Sequence, residues 1–334
     1  MENIEPLIRH GLFDAKVPRY TSYPPANHFE NGIRRRHQVS WLSSIEEGED
    51  VSVYIHILFC KRLCWFCACR TQSTQTMRPV EAYIDIVLLE ITAAIREIPV
   101  GIKMGRLHLG GGTPTILAPK IMGKLLDAVF DAFTPLDDFE FSVEINPTEA
   151  SPALLGTLVD YGMNRARIGV PDFDPKVQAA IGRMQSLEKT IAVVEFLRGR
   201  GVDAINLDLL YGLPFQTKES FRTTLDHVIA MDPDRLAIYG YVHVPWMSKR
   251  QVLIKEETLP DTMARFELAN IAHDVLTKKG FEPVGIDHFA KKTDSLFDAL
   301  QTGRLRRNFQ GYTDDPSATL IGFGASAISR FKEG

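Results

Sequence analysis

All four cysteines of this 334-residue chain fall in one decapeptide, CKRLCWFCAC at positions 60–69. Cys60, Cys64 and Cys67 form C-x3-C-x2-C, and Cys69 follows two residues later. Clustered thiols in a reducing compartment point to a metal or redox role rather than to disulfides. Structural zinc takes four ligands, usually as two separated pairs, and paired spacing is absent here. A reduced, buried thiol cluster without metal is a weaker explanation for four cysteines in one loop. A [4Fe–4S] cluster normally takes four thiolates, so three from one loop would leave one iron open to a small molecule. The spacing favours the cluster over zinc.

The elements that must position this loop follow a regular rhythm. VSVYIHI (51–57) is a short β-branched run, read as a buried strand. Further strands are expected at 106–110, 139–144, 165–170, 204–210 and 235–241. Helices are expected at Pro79 to about Glu97, 119–133, 151–162, 174–182, 187–200, 218–231 and 260–279. Val80, Tyr83, Ile84, Val87, Leu88, Ile91 and Ile95 recur at helical spacing, and Pro79 suits a first turn. Strands alternating with helices imply parallel βαβ units wound by right-handed crossovers into an α/β barrel, open or closed. Chemistry in such barrels gathers at the C-terminal ends of the strands. The cysteine loop follows strand one, Gly110-Gly111-Gly112 follows strand two, Glu144 ends strand three and Asp208 lies near the end of strand five. Residues 1–50 are expected to be irregular, with Arg34-Arg35-Arg36-His37 a solvated face.

Composition narrows the class. The chain is 45% hydrophobic and 24% charged with a formal net charge of −4, which gives no sign of a general nucleic-acid or membrane-surface binder. No apolar run approaches a membrane span, and the N-terminus lacks a signal-peptide core, so a cytoplasmic location is expected.

Read together, VPRYTSYP (17–24), YIHILFCKRLCWFCAC (54–69), LGGGTPT (109–115), NLDLLYGLP (206–214), DHFA (287–290), RNFQGYT (307–313) and GASAIS (324–329) resemble the radical S-adenosylmethionine (SAM) superfamily. Within it the chain is similar to the oxygen-independent coproporphyrinogen III oxidases. The resemblance runs from Val17 to Ser329. It implies a partial (βα)6 TIM-like barrel over residues 51–245, an N-terminal extension wrapping it over 1–50, and additional α/β elements over 246–334 completing the substrate side.

The same resemblance implies that Cys60, Cys64 and Cys67 ligate a [4Fe–4S] cluster, with Cys69 outside the ligand set. Tyr54, Gly111, Glu144, Val242 and Ile328 match contacts of a first SAM bound at the open iron. Phe66, Gly112, Thr113, Arg183 and Asp208 match contacts of a second. The implied reaction is oxidative decarboxylation of two propionates of coproporphyrinogen III to vinyl groups, through a 5′-deoxyadenosyl radical from reductive SAM cleavage. A flavodoxin or ferredoxin would supply electrons to a monomer. Arg19, Arg304, Arg306 and Arg307 are candidates for substrate carboxylates, and Tyr241 and His243 for facing the substrate. A solvated surface role for Arg304 to Arg307, a core tyrosine and a satisfied histidine are the alternatives.

Three departures stand out. Leu58 replaces the proline of the family's HIPFC. Pro171 replaces a glutamine that contacts the second SAM, and its ring carries no donor or acceptor, which sets that site in question. The chain stops at FKEG, where the family continues into a helical C-terminal domain. The alternative function is therefore a truncated, inactive or haem-binding paralogue that keeps the cluster.

Overall fold

The computed structural model describes residues 5–11, 13, 25 and 28–334. Arg19 and the VPRYTSYP motif lie outside the described residues. Among the described residues nine strands form one sheet: β1 (Asp50–Ile57), β2 (Lys103–Gly111), β3 (Thr134–Ile145), β4 (Arg165–Gly169), β5 (Ala204–Tyr211), β6 (Arg235–Gly240), β7 (Glu282–Val284), β8 (His288–Ala290) and β9 (Thr319–Phe323). Their spatial order is β9-β1-β2-β3-β4-β5-β6-β8-β7. The strands from β9 to β6 are parallel, and β8 and β7 add an antiparallel edge. The crossovers carry α1 (Arg78–Ile95), α2 (Pro119–Ala132), α3 (Pro152–Asp160), α4 (Pro175–Ala180), α5 (Leu187–Gly199) and α6 (Lys218–Ala230). After β6 come α7 (Thr262–Lys278) and α8 (Ser295–Gln301). Among the described residues no helix is long and apolar enough to cross a membrane.

The six expected parallel strands are present, and the sheet extends beyond them. β7, β8 and β9 are three to five residues long, too short for their pattern to reveal them. β9 exists because it pairs with β1 from Val51↔Thr319 to Ile55↔Phe323. The N-terminal region is not wholly irregular, since Glu5–Arg9 and Arg35–Ser43 are helical. The second of these is held by tertiary packing: Leu42 and Ile45 are buried, and Trp41 meets Phe331 with ring centroids 5.7 Å apart. Its arginines stay exposed.

Strand alternation gives the barrel two unlike faces. Val51, Val53, Ile55, Ile57, Leu107, Leu109, Phe141 and Val143 are almost fully buried in the main core. Each such side chain contributes about 1.5–3 kcal/mol by burial. The alternate residues are polar and are brought into register with one another. Ser52, Arg106 and Glu140 are partners across β1–β3, and Tyr54, His108, Ser142 and Arg165 across β1–β4. Glu144, Arg167, Asn206 and Arg235 are partners across β3–β6. TIM barrels usually fill this interior with branched apolar side chains; here it is lined with charge.

Candidate active site

The cysteine loop leaves β1 at Leu58 and folds back on itself. Phe59–Cys60 pairs with Gln72–Ser73. The Gln72 N–H donates to Leu58 O and the Thr74 N–H to Cys60 O, both at 3.0 Å. This stitching shapes the loop entry with leucine at 58. Trp65 and Phe66 anchor the loop in an apolar cluster with Val177, Ile181, Leu213, Tyr241 and Ile254. From the other side, Ser248 Oγ donates to Cys67 O at 3.1 Å, Gln251 Nε2 to Phe66 O at 2.9 Å and Arg250 Nη1 to Thr71 Oγ1 at 2.9 Å.

Cys60 is buried, Cys64 and Cys67 are half-buried, Cys69 is exposed, and all four are free thiols. Burial pushes the Cys60 thiol up to about 11. It also raises Cys64, against the opposing charge of Arg183. A hydrogen bond shared with Cys69 holds Cys67 down at about 7 and pushes Cys69 up. Bound metal would supply the positive charge that turns buried thiols into thiolates.

The glycine turn is docked onto this loop. Gly112 N–H donates to Ile57 O at 2.7 Å, Thr113 N–H to Phe59 O at 3.0 Å, and Thr113 Oγ1 to Cys60 Sγ at 3.3 Å. A Cβ on Gly112 would lie 2.7 Å from Phe59 O and 2.8 Å from Ile57 O. At Gly111, with φ 109°, it would meet the His56 ring at 2.6 Å. Gly112→Ala must therefore push the turn off the cysteine loop. Overpacking of this kind costs roughly 1–3 kcal/mol, and a misplacement near 1 Å costs about 100-fold in rate. We expect at least a tenfold loss of SAM cleavage in this variant, measured as 5′-deoxyadenosine. Gly199→Ala, whose Cβ meets nothing within 4 Å, should keep wild-type rates.

Behind the turn, charged groups converge. Gly111 N–H donates to Glu144 Oε2 at 3.1 Å, and Glu144 Oε1 lies 3.5 Å from His108 Nε2. Burial pushes the Glu144 carboxyl up, but His108, Arg167 and the Gly111 N–H together outweigh it and hold it below the usual range. Asp208 lies 3.6 Å from Arg167 Nη2; there burial prevails and raises it. Arg183 reaches Cys64 Sγ at 3.6 Å and is braced by Gln185 Oε1 at 2.8 and 3.1 Å. Gly112, Thr113, Glu144, Arg183 and Asp208 line one cavity together with Arg167. Arg167 Nε is buried there without a hydrogen-bond partner, and His108 Nε2, buried behind Glu144, has only the 3.5 Å approach of Glu144 Oε1.

The other expected residues are spread more widely. Tyr54 is buried beside this site, bonded to His56 Nδ1 at 3.0 Å and stacked on His108. Val242 is exposed at the end of β6, with its carbonyl held by Gln251. Ile328 follows β9, its carbonyl 2.7 Å from where a Gly322 Cβ would lie. Tyr241 is buried in the apolar cluster, its hydroxyl on His243 Nδ1 at 2.8 Å, and burial pushes it up to about 12. Arg304 pairs with Asp298, and Arg306 donates to Pro316 O. Arg307 lies over the Tyr312 ring and lines a cavity with Tyr211, Val242 and Arg265. Arg167 and Gln251 were not among the sequence candidates. RARIG carried a signal for the first, two arginines alternating with apolar residues in a barrel strand. Gln251 had none.

Among the described residues no three His, Cys, Asp or Glu converge as a single-ion site. A cubane needs its thiolates at separate iron corners, and three cysteines on one loop beside an open, polar cavity fit that demand. Residues 54–228 match the radical SAM superfamily. The whole chain is 53% identical to an oxygen-independent coproporphyrinogen III oxidase of Cereibacter sphaeroides, covering 74% of that protein. It is 48% identical to one of Paracoccus denitrificans over the same share. The chain belongs to the oxygen-independent coproporphyrinogen III oxidases of the radical SAM superfamily. The solved coproporphyrinogen III oxidase of Escherichia coli superposes with TM-score 0.89 at 36% identity, covering 93% of this chain and 71% of that one. Pro171 is buried and uses only its carbonyl, which accepts from Leu210 N–H at 3.1 Å.

Proposed function

We propose that this chain converts coproporphyrinogen III to protoporphyrinogen IX without oxygen, the activity for which its relatives are named. The observation that carries this reading is the junction of cysteine loop and glycine turn at the ends of parallel strands, with Glu144, Arg183 and Asp208 facing one cavity behind it. Cys60, Cys64 and Cys67 would hold the [4Fe–4S] cluster. When bound, the cluster and SAM supply one-electron reductive cleavage and hydrogen-atom abstraction. Gly111 and ionised Glu144 would orient the first SAM, Glu144 accepting from its amine or ribose hydroxyls. Phe66, Gly112, Thr113, Arg183 and Asp208 would serve a second, which loses one polar contact at Pro171. Trp65 and Phe66, packed against their apolar cluster, hold the loop in place. Arg265 and Arg307 line the cavity beyond β6 with Ile238 and Phe289, and their guanidinium groups suit the substrate's propionates.

Anaerobic reconstitution with iron and sulfide, followed by reduction and addition of SAM and coproporphyrinogen III, tests this directly. Protoporphyrinogen together with substrate-stimulated 5′-deoxyadenosine is the expected result. Pro171 favours one other reading, a haem-binding or inactive paralogue that retains the cluster. Tight haem binding with no porphyrinogen turnover would establish that instead.

A further inference from the structure

Two segments of this acidic chain are wholly basic. Residues 58–80 contain Lys61, Arg62, Arg70 and Arg78 and no carboxylate; residues 239–253 contain Lys249 and Arg250 and none either. The fold brings the two together. Arg250 bonds Thr71, and Ser248 bonds the Cys67 carbonyl. Between them lies a groove of about 670 Å³, lined by Leu58, Cys69, Arg70, Met247, Lys249 and Arg250. Arg70 and Lys249 are exposed. Beside them Trp246 and Met247 are 76% and 79% exposed.

We propose that this groove is the docking site of a small acidic one-electron carrier protein. The inference rests on the redox reading above. The inner side of the loop, where Thr113 meets Cys60 and Arg183 meets Cys64, faces the cavity that SAM would fill. The outer side is the groove, whose wall is the loop's own Ala68 and Cys69, directly after Cys67. Electron transfer falls off steeply with distance, so a donor gains most by sitting where only the loop backbone intervenes. Arg70, Lys249 and Arg250 line the groove with no carboxylate among its lining residues, and such a patch steers an acidic protein there and raises its encounter rate. Redox encounters of this kind use small interfaces, and an exposed Trp–Met pair beside arginines has the composition of such a patch.

The test follows reduction of the reconstituted cluster by reduced flavodoxin, read from its visible absorbance, so that it requires no porphyrin product. Arg70→Glu combined with Lys249→Glu should slow this reduction at least tenfold at low salt and flatten its salt dependence. Dithionite-driven reduction and SAM cleavage should stay unchanged. The same double reversal at Lys103 and Lys278, far from the loop, should leave the flavodoxin rate within twofold. An unchanged flavodoxin rate in the groove variant overturns the proposal. So does an equal loss with dithionite, which would place the two residues in support of the cluster itself. Failure of porphyrinogen turnover in the wild-type chain would sink the functional reading and leave the docking result standing.

Discussion

Cys64→Ala is expected to remove the cluster: iron and sulfide content and the visible charge-transfer absorbance should fall to background after reconstitution, and 5′-deoxyadenosine formation with them. Cys69→Ala should retain all three. The contrast follows from the loop's construction. Cys60 is held by strand pairing and by Thr113, Cys64 lies against Arg183, and the Cys67 carbonyl is fixed by Ser248. These three thiols sit on a loop that is pinned on both sides, whereas Cys69 is exposed on the outer groove. Were these three thiolates to hold a cubane, losing one would leave it two corners short of ligands instead of one. Unchanged iron in Cys64→Ala would refute the ligand assignment, and loss of iron in Cys69→Ala would add a fourth ligand.

The second large effect is structural. Asp294 is the shared anion of a buried network where the barrel strands begin. It accepts from Arg235 Nε at 2.5 Å and Arg165 Nη1 at 3.4 Å, and it caps α8 through the Leu296 N–H at 2.8 Å. All three charged side chains are less than 10% exposed. Removing one partner of a buried pair costs about 3–5 kcal/mol, because the remaining charge stays buried. We therefore expect Asp294→Ala to lower the urea midpoint by that equivalent, and a shift no larger than that of a surface variant would contradict the account.

The same network sets an acid limb. For Glu140 and Asp314, burial pushes the carboxyls up, but the facing arginines prevail and hold both below their ordinary values. Their stabilising contribution is complete above the unfolded pKa, near 4, and drains away as pH falls through the lower folded values. Unfolding free energy measured downward from pH 5 should decline there, and less steeply in Glu140→Gln.

Much of this was legible in the linear chain. The cysteine spacing, the glycine turn and the six strand–helix alternations are local patterns. Each depends on residues within about ten positions, and each emerges close to where periodicity places it. Arg167 was half-legible, since alternation marks it as facing the same side as Arg165 but names no partner. The helix at Arg35–Ser43 was not, because its stability comes from Trp41 against Phe331, nearly 300 residues away.

By itself, then, the sequence determined the chemistry on offer: three spaced thiols, backbone that only glycine permits, and acids at strand ends. Only the tertiary structure decided which charges meet. Asp294 with Arg165 and Arg235, Glu144 with His108 and Arg167, and β9 with β1 are joined by sheet register and loop closure over long separations. No periodicity encodes such pairings, since they arise where burying apolar faces leaves polar side chains no solvent and only one another as partners.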